Sequence, residues 1–254
     1  MSDEVLVERR DGVQVITIDR PEARNALTRA IAEGVAAAVD ELDASYELGV
    51  GVVTGAGGTF SAGMDLKAFL RGETPAIEGR GLCGITQTPP RKPLVAAVEG
   101  WALAGGCELA LSADLVVAAR DARFGIPEVK RGLFAAGGGV LRLAKALPYQ
   151  RAMEMALTGD PLPAEEAHRF GLVNTLTEPG GALAGARELA ARIAVNGPLG
   201  VRASKQLIAG SVGWTDRAAL DAQRELADRV FGSADALEGA RAFAEKRPPV
   251  WRGE

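Results

Sequence analysis

Two acids carry the clearest chemical signal in this 254-residue chain: Glu108, in WALAGGCELALSAD, and Glu128, in FGIPEVKRGL. Glu108 follows Gly105 and Gly106 on what reads as the first turn of a helix. Unpaired amides and the helix dipole at such a place favour a developing oxyanion. Its neighbours Ala104, Cys107, Leu109 and Leu111 are apolar, which predicts burial of the carboxyl. Burial raises its pKa and the dipole lowers it. Glu128 stands after Pro127 and ahead of the glycine run Gly137 to Gly139. Each acid also has a structural reading, one as a buried helix acid and the other as a helix-start acid matched to the dipole. Two carboxyls of opposite protonation state can together take and give protons in a single reaction.

A third segment, TGAGGTFSAGMDLKAF, reads as a strand entering a glycine-rich turn and then a helix, with exposed amides around Gly63 and Met64. It suits an oxyanion or a phosphate. No Gly-Lys-Ser/Thr follows and the spacing is not that of a dinucleotide fingerprint. Thr59 stands where a nucleophile elbow around Ser61 would need glycine.

The rest of the composition narrows the chemistry. A single histidine, His168, leaves little room for imidazole-based zinc sites or triads, and no metal is expected. A net charge of −4 in mixed signs, without a basic tract, argues against nucleic acid. The first twenty residues carry acids and arginines throughout, so neither a signal peptide nor a membrane span is expected. Cys83 and Cys107 lie far apart in segments that read as loop and buried helix, which fits a reducing cytoplasm.

The elements that must position these groups alternate. Val13 to Ile18 (VQVITI), Val50 to Thr54, Leu94 to Val98 and Leu115 to Ala119 read as strands. A helix capped by Thr28 carries Ile31, Val35, Val39 and Leu42 at helical spacing, and further helices are expected from Gly105 and over 139–147. This predicts an α/β core with functional loops at its strand ends. Residues 71–92, punctuated by Gly and Pro, read as a loop-rich insert that shapes the substrate pocket. From Pro198 only helical patterns remain, which divides the chain into a core, 1–197, and a helical segment, 198–254.

TFSAGMDL, WALAGGCELALSADLVVA and FGIPEVKRGL with GGG after it, together with RPEARNAL and AFAEKRPP, resemble the ordered blocks of the crotonase (enoyl-CoA hydratase/isomerase) superfamily over nearly the whole chain. The resemblance implies a spiral of strand-strand-helix turns, then a C-terminal helical segment for a homotrimer or a dimer of trimers. It further implies an acyl-CoA thioester substrate with no cofactor beyond the substrate's own coenzyme A. The amides of Met64 and Gly105 would form the oxyanion hole. Arg24, Ala62, Asp65, Leu66 and Lys67 would contact coenzyme A, as would Phe243 and Lys246, often on a neighbouring subunit. Both acids of the hydratase members are present at Glu108 and Glu128, which implies hydration of a 2-enoyl-CoA rather than isomerisation. Met64 stands where typical hydratases often have alanine, leaving the amide in place but altering the wall of the acyl pocket. PEVKRGL, followed by GGGVLRL and the LPYQRAMEMALTG helix, is also similar to carnitinyl-CoA (crotonobetainyl-CoA) dehydratases, which stand with an enoyl-CoA isomerase as the alternatives on the same fold. Two readings of other kinds are a serine hydrolase built on Ser61, Asp114 and His168, and a non-catalytic acyl-CoA binder.

Overall fold

The chain opens with a hairpin. In this computed structural model, which describes residues 4–254, β1 (Val5–Arg10) and β2 (Val13–Ile18) pair antiparallel across Asp11 and Gly12, both at positive φ. Such a two-residue turn matches the twist of its strands. The sequence pattern does not reveal β1, because VLVERR exposes most of its residues and ends in charge. α1 (Arg29–Ala44) follows, with the Thr28 side chain accepting the Ile31 amide and Ile31, Val35, Val39 and Leu42 buried along one face.

From there the chain winds in strand-strand-helix turns. β3 (Val50–Gly55) leads through the Gly63 turn into α2 (Leu66–Leu70). The insert contributes a small hairpin of β4 (Ala76–Ile77) and β5 (Gly81–Leu82). The next turn runs β6 (Leu94–Val98), β7 (Trp101–Leu103) and α3 (Gly105–Ala110). The one after runs β8 (Leu115–Ala119), β9 (Arg123–Gly125), a 3-10 turn at Pro127–Arg131, α4 (Gly139–Ala146) and α5 (Tyr149–Thr158). β10 (Leu162–Pro163), α6 (Ala164–Arg169), β11 (Thr175–Thr177) and α7 (Ala182–Ala194) complete the core. α8 (Pro198–Ser211), α9 (Asp216–Phe231) and α10 (Ala234–Glu245) end the chain. No helix of the described residues is long and apolar enough to cross a membrane.

The first strands of successive turns form a six-stranded sheet in the order β1-β2-β3-β6-β8-β11, parallel beyond the opening hairpin. Both its faces are covered, which is why its central strands read as continuous apolar runs. Val13, Val15, Val50, Val52, Val95 and Val117 pack on Ala182, Ala186 and Ala190 of α7. Ile16, Ile18, Val53, Ala96 and Val98 face α1, α3 and the second sheet. That second sheet, β10-β9-β7, gathers the second strands of the turns. Its far edge is extended by one residue, Ser61, bridged in parallel to Ala102.

Asn25 pins the start of the site. It is fully buried at φ +54, where asparagine is tolerated better than most residues. Its Oδ1 accepts from the Arg20 amide (2.9 Å), and its Nδ2 donates to the carbonyls of Ala56 and Thr59 (2.8 Å each). Its own carbonyl accepts from Ser61 Oγ (2.8 Å), which in turn accepts from the Gly63 amide (3.1 Å). Asn25→Ala strands three backbone groups at about 1–3 kcal/mol for each buried one. We therefore expect urea unfolding to show a loss of about 3 kcal/mol or more; a loss below about 1 kcal/mol would mean that the turn is held by other contacts.

Candidate active site

Parallel pairing brings the two proposed oxyanion donors together. The Ser61 amide donates to Trp101 O and the Leu103 amide to Ser61 O, 2.9 Å each, so the two chains run side by side in register. Three residues beyond Ser61 and Ala102 stand Met64 and Gly105. Leu27 N donates to Gly63 O (2.8 Å) and Asp65 N to Leu27 O (3.0 Å), which turns the intervening Met64 amide the other way, toward α3. A Cβ built on Gly105 would lie 3.6 Å from Met64 N, and one built on Gly63 would lie 3.0 Å from Gly105 N. Gly63, at φ +91, takes the bend that allows this approach. Neither amide donates to a backbone carbonyl among the described residues. Gly105 is moreover the first residue of α3, where the positive end of the helix dipole lies.

The carboxyls arrive from two successive turns. Glu108, on the first turn of α3, is 5% exposed. Its Oε1 accepts from Gly139 N at 2.9 Å, and a Cβ on Gly137 would lie 2.8 Å from its Oε2. Two glycines thus form a cradle that leaves no room for a side chain. Burial raises the Glu108 pKa, while the amides of Gly139 and Gly137 and the charge of Arg142 pull it back. Glu128, on the 3-10 turn after β9, meets a different environment. Its Oε2 is buried without a hydrogen-bond partner among the described residues, and its pKa is pushed up to about 7, first by burial and then by the charge of Glu108; its own amide and Arg131 oppose the rise. The Cys107 thiol, raised by burial and further by both Glu128 and Glu108, lies in the field of both acids. The pair is therefore one site with unequal proton affinities, in which Glu108 is the better supported as carboxylate and Glu128 is held toward the neutral acid.

The residues expected at coenzyme A fall into two groups. Arg24 and Ala62 are joined, since the Ala62 amide donates to Arg24 O at 2.9 Å. Asp65, Leu66 and Lys67 begin α2, directly after Met64, with Leu66 and Lys67 exposed. The Asp65 carboxylate is already engaged: Oδ1 caps Lys67 N (2.8 Å) and Ala68 N (3.0 Å), and Oδ2 pairs with Arg20 at 2.7 Å. Phe243 and Lys246 lie at the end of α10, exposed, with no side-chain hydrogen bond or ion pair that joins them to the other site residues.

Other arrangements fail on geometry. Ser61 is fully buried and donates to Asn25 O, while Asp114 pairs with Lys205 at 2.7 Å. His168, exposed on α6, lies against Val173 O (2.8 Å), so the three form no triad. Among the described residues no group of three His, Cys, Asp or Glu is arranged to hold a metal ion. A cavity of about 930 Å³ does exist, lined by Leu115, Ile193, Ile208, Ala240 and Trp251 among others. It opens beside Pro93 and Leu115, at the strand starts, away from the glutamates, whereas open α/β sheets bind ligands beyond their strand ends.

Several positioning residues have no motif that marks their task. Asn25, Arg20 and Gly137 lie within the blocks quoted above and Arg142 just beyond the glycine run, and their roles come from contacts 20 to 60 residues away in sequence, such as Arg20 to Asp65 or Arg142 to Thr86.

Comparison with known proteins places the chain in a family. Residues 8–254 match the family model "Enoyl-CoA hydratase/isomerase". A crystal structure titled as an enoyl-CoA hydratase from Mycobacterium tuberculosis superposes with a TM-score of 0.97 at 59% identity, covering 99% of both chains. The enoyl-CoA hydratase EchA19 of the same organism is 40% identical over 97% of this chain and 95% of its own length. A carnitinyl-CoA dehydratase of Salmonella enteritidis is 39% identical over 100% of both chains.

Two outcomes test the site. Gly137→Ala should force the Glu108 carboxylate aside and lower kcat by about tenfold, with a small change in melting temperature; unchanged kcat would remove the cradle from the argument. Glu128 supplies the second. Its folded pKa of about 7 stands above the ordinary 4.5, so the folded state holds this proton more tightly than the unfolded chain does. The stabilisation is then full below about pH 4.5 and is lost as pH rises through about 7. Glutamine stays neutral throughout, so the melting temperature of Glu128→Gln should rise relative to the native protein between about pH 5 and pH 8. A difference that is flat with pH would refute the shift.

Proposed function

The chain belongs to the enoyl-CoA hydratase/isomerase family, and from that premise we propose that it is an enoyl-CoA hydratase, a hydro-lyase that adds water reversibly and syn across the C2–C3 double bond of a 2-enoyl-CoA thioester. The observation that carries this reading is the pair of glutamates with unequal proton affinities, Glu108 buried and held by the Gly139 amide and Glu128 with a buried oxygen that has no partner among the described residues, on the turns that follow two convergent amides.

The steps follow from that arrangement. The amides of Met64 and Gly105 receive the thioester oxygen, drawing electron density from C3 and stabilising the enolate that forms as water attacks; one such donor is worth about 10²–10³ in rate. Glu108, the supported carboxylate, orients the water and takes its proton as the C3–O bond forms. Glu128 gives its proton to C2 as the enolate collapses. One carboxyl has gained a proton and the other has lost one, and exchange with solvent resets the pair. Dehydration runs the same steps backward. Arg24, Ala62, Leu66 and Lys67, around the oxyanion turn, would hold coenzyme A, with Asp65 bracing α2. Phe243 and Lys246 would serve a neighbouring copy in a homotrimer or a dimer of trimers. The free, buried cysteines suit a reducing cytoplasm.

A second reading, dehydration of a carnitinyl-CoA or a similarly polar acyl group, is favoured by the relatives of that name, which match over the full chain. Turnover of a panel of enoyl-CoA thioesters, from crotonyl-CoA to crotonobetainyl-CoA, separates the two. Glu128→Gln should bind acyl-CoA with near-native affinity and lose turnover by at least about 10²-fold. Near-native hydration by that variant would overturn the mechanism, and binding without turnover by the native protein would make it an acyl-CoA binder.

A further inference from the structure

Arg142, on α4, is not part of the pair, yet it braces one wall of the glycine cradle that holds Glu108. Its Nη1 donates to Gly137 O at 3.4 Å, the outer wall of the Glu108 cradle, and its Nη2 donates to Thr86 O in the insert. Thr86 is itself buried, and its Oγ1 accepts from Leu82 N at 2.9 Å. The side chain of Leu82 flanks the oxyanion turn, its Cδ2 lying 3.2 Å from where a Gly105 Cβ would stand. Gly138, at φ +98, leaves room for the guanidinium, since a Cβ there would meet Nη1 at 2.3 Å. One half-buried fork therefore joins the cradle, the insert and the wall of the hole.

From this geometry we infer that Arg142 is a positioning residue that fixes Glu108 as the base of the pair, by clamping its glycine cradle to the insert and keeping one positive charge beside the carboxylate. The inference rests on the hydration reading above. The charged and titratable groups around Glu108 support it. Cys107, on the same helix, is driven toward the neutral thiol; Glu128, from the 3-10 turn, is a like charge; Arg131, on that turn, opposes the rise at Glu128. Arg142 is the cation that acts on Glu108 itself, and burial of the guanidinium weakens its screening by water. A guanidinium can bridge two carbonyls with a planar fork and keeps its charge at any working pH, which an ammonium does less well in such a place.

The experiment is the pH dependence of kcat/KM for Arg142→Gln and Arg142→Lys, with crotonyl-CoA as the probe. The acid limb reports ionisation of the base in the free enzyme. In Arg142→Gln this limb should move to higher pH and kcat should fall by about 10²-fold, the loss typical of a misplaced catalytic group, with KM little changed. Arg142→Lys, which keeps the charge and loses the fork, should keep the native acid limb while kcat still falls. An acid limb unmoved in folded Arg142→Gln overturns the inference whatever happens to kcat, because a merely structural residue would behave so. Should Arg142→Gln fail to fold, native kcat in Arg142→Lys overturns it instead. Glu128→Gln, measured alongside, isolates the parent reading: if it stays active the hydration mechanism fails, and if it is inactive while the Arg142 variants behave as native, only the role of Arg142 is lost.

Discussion

Everything chemical in this molecule hangs on the in-register parallel pairing of three very short extended segments, at Ser61, Ala102 and Phe124. Each belongs to a different turn of the spiral, and each is followed within a few residues by a functional group: Met64 after the first, Gly105 and then Glu108 after the second, Glu128 after the third. A slip of one residue in the Ser61–Ala102 bridge would reverse the direction of the Met64 amide, because successive amides of an extended chain point to opposite sides. The large sheet sets the register from below, through Val52–Val95 and Val95–Leu115. A long core of ordinary valines and alanines thus fixes a handful of polar atoms.

Given that frame, the two glutamates differ only by what meets them. Glu108 lies at a helix start, accepts an amide and has a cation near it; Glu128 follows a proline, keeps one oxygen without a partner and feels the charge of Glu108. Identical side chains acquire different proton affinities through their placement. Glycine is the means. Gly137 and Gly139 let main-chain atoms approach a carboxylate more closely than any substituted residue allows.

The regular elements were legible in the sequence because their cause is local. VQVITI, VGVVT, LVAAV and LVVAA announce strands by composition, and Thr28 announces α1 by its capping oxygen, and the structure places them there with boundaries shifted by a residue or so. β1 was not legible, since its alternation is weak and its end charged, and the paired geometry of β9 and β7 rests on only three residues each. The acids themselves stood out by type, whereas their partners did not. That Arg20 would brace Asp65, that Asn25 would hold Ser61, or that Arg142 would reach Thr86 depends on the winding of the chain, and no local pattern encodes a contact made 40 residues away.

The cavity beside Trp251 lies apart from the two glutamates. Residues of α7 to α10 line it near the strand starts, and the charged side chains among them are already engaged, Lys205 with Asp114 and Asp235 with the amides of Arg252 and Gly253. At the opposite end polar atoms converge: among the described residues the Met64 and Gly105 amides donate to no backbone carbonyl, and Glu128 Oε2 is buried with no hydrogen-bond partner. On the hydration reading the developing oxyanion would accept from both amides, and Glu128, held toward the neutral acid by burial, would have its proton ready for C2, so the unpaired amides of the ground state and the stabilisation of the transition state are two descriptions of one arrangement.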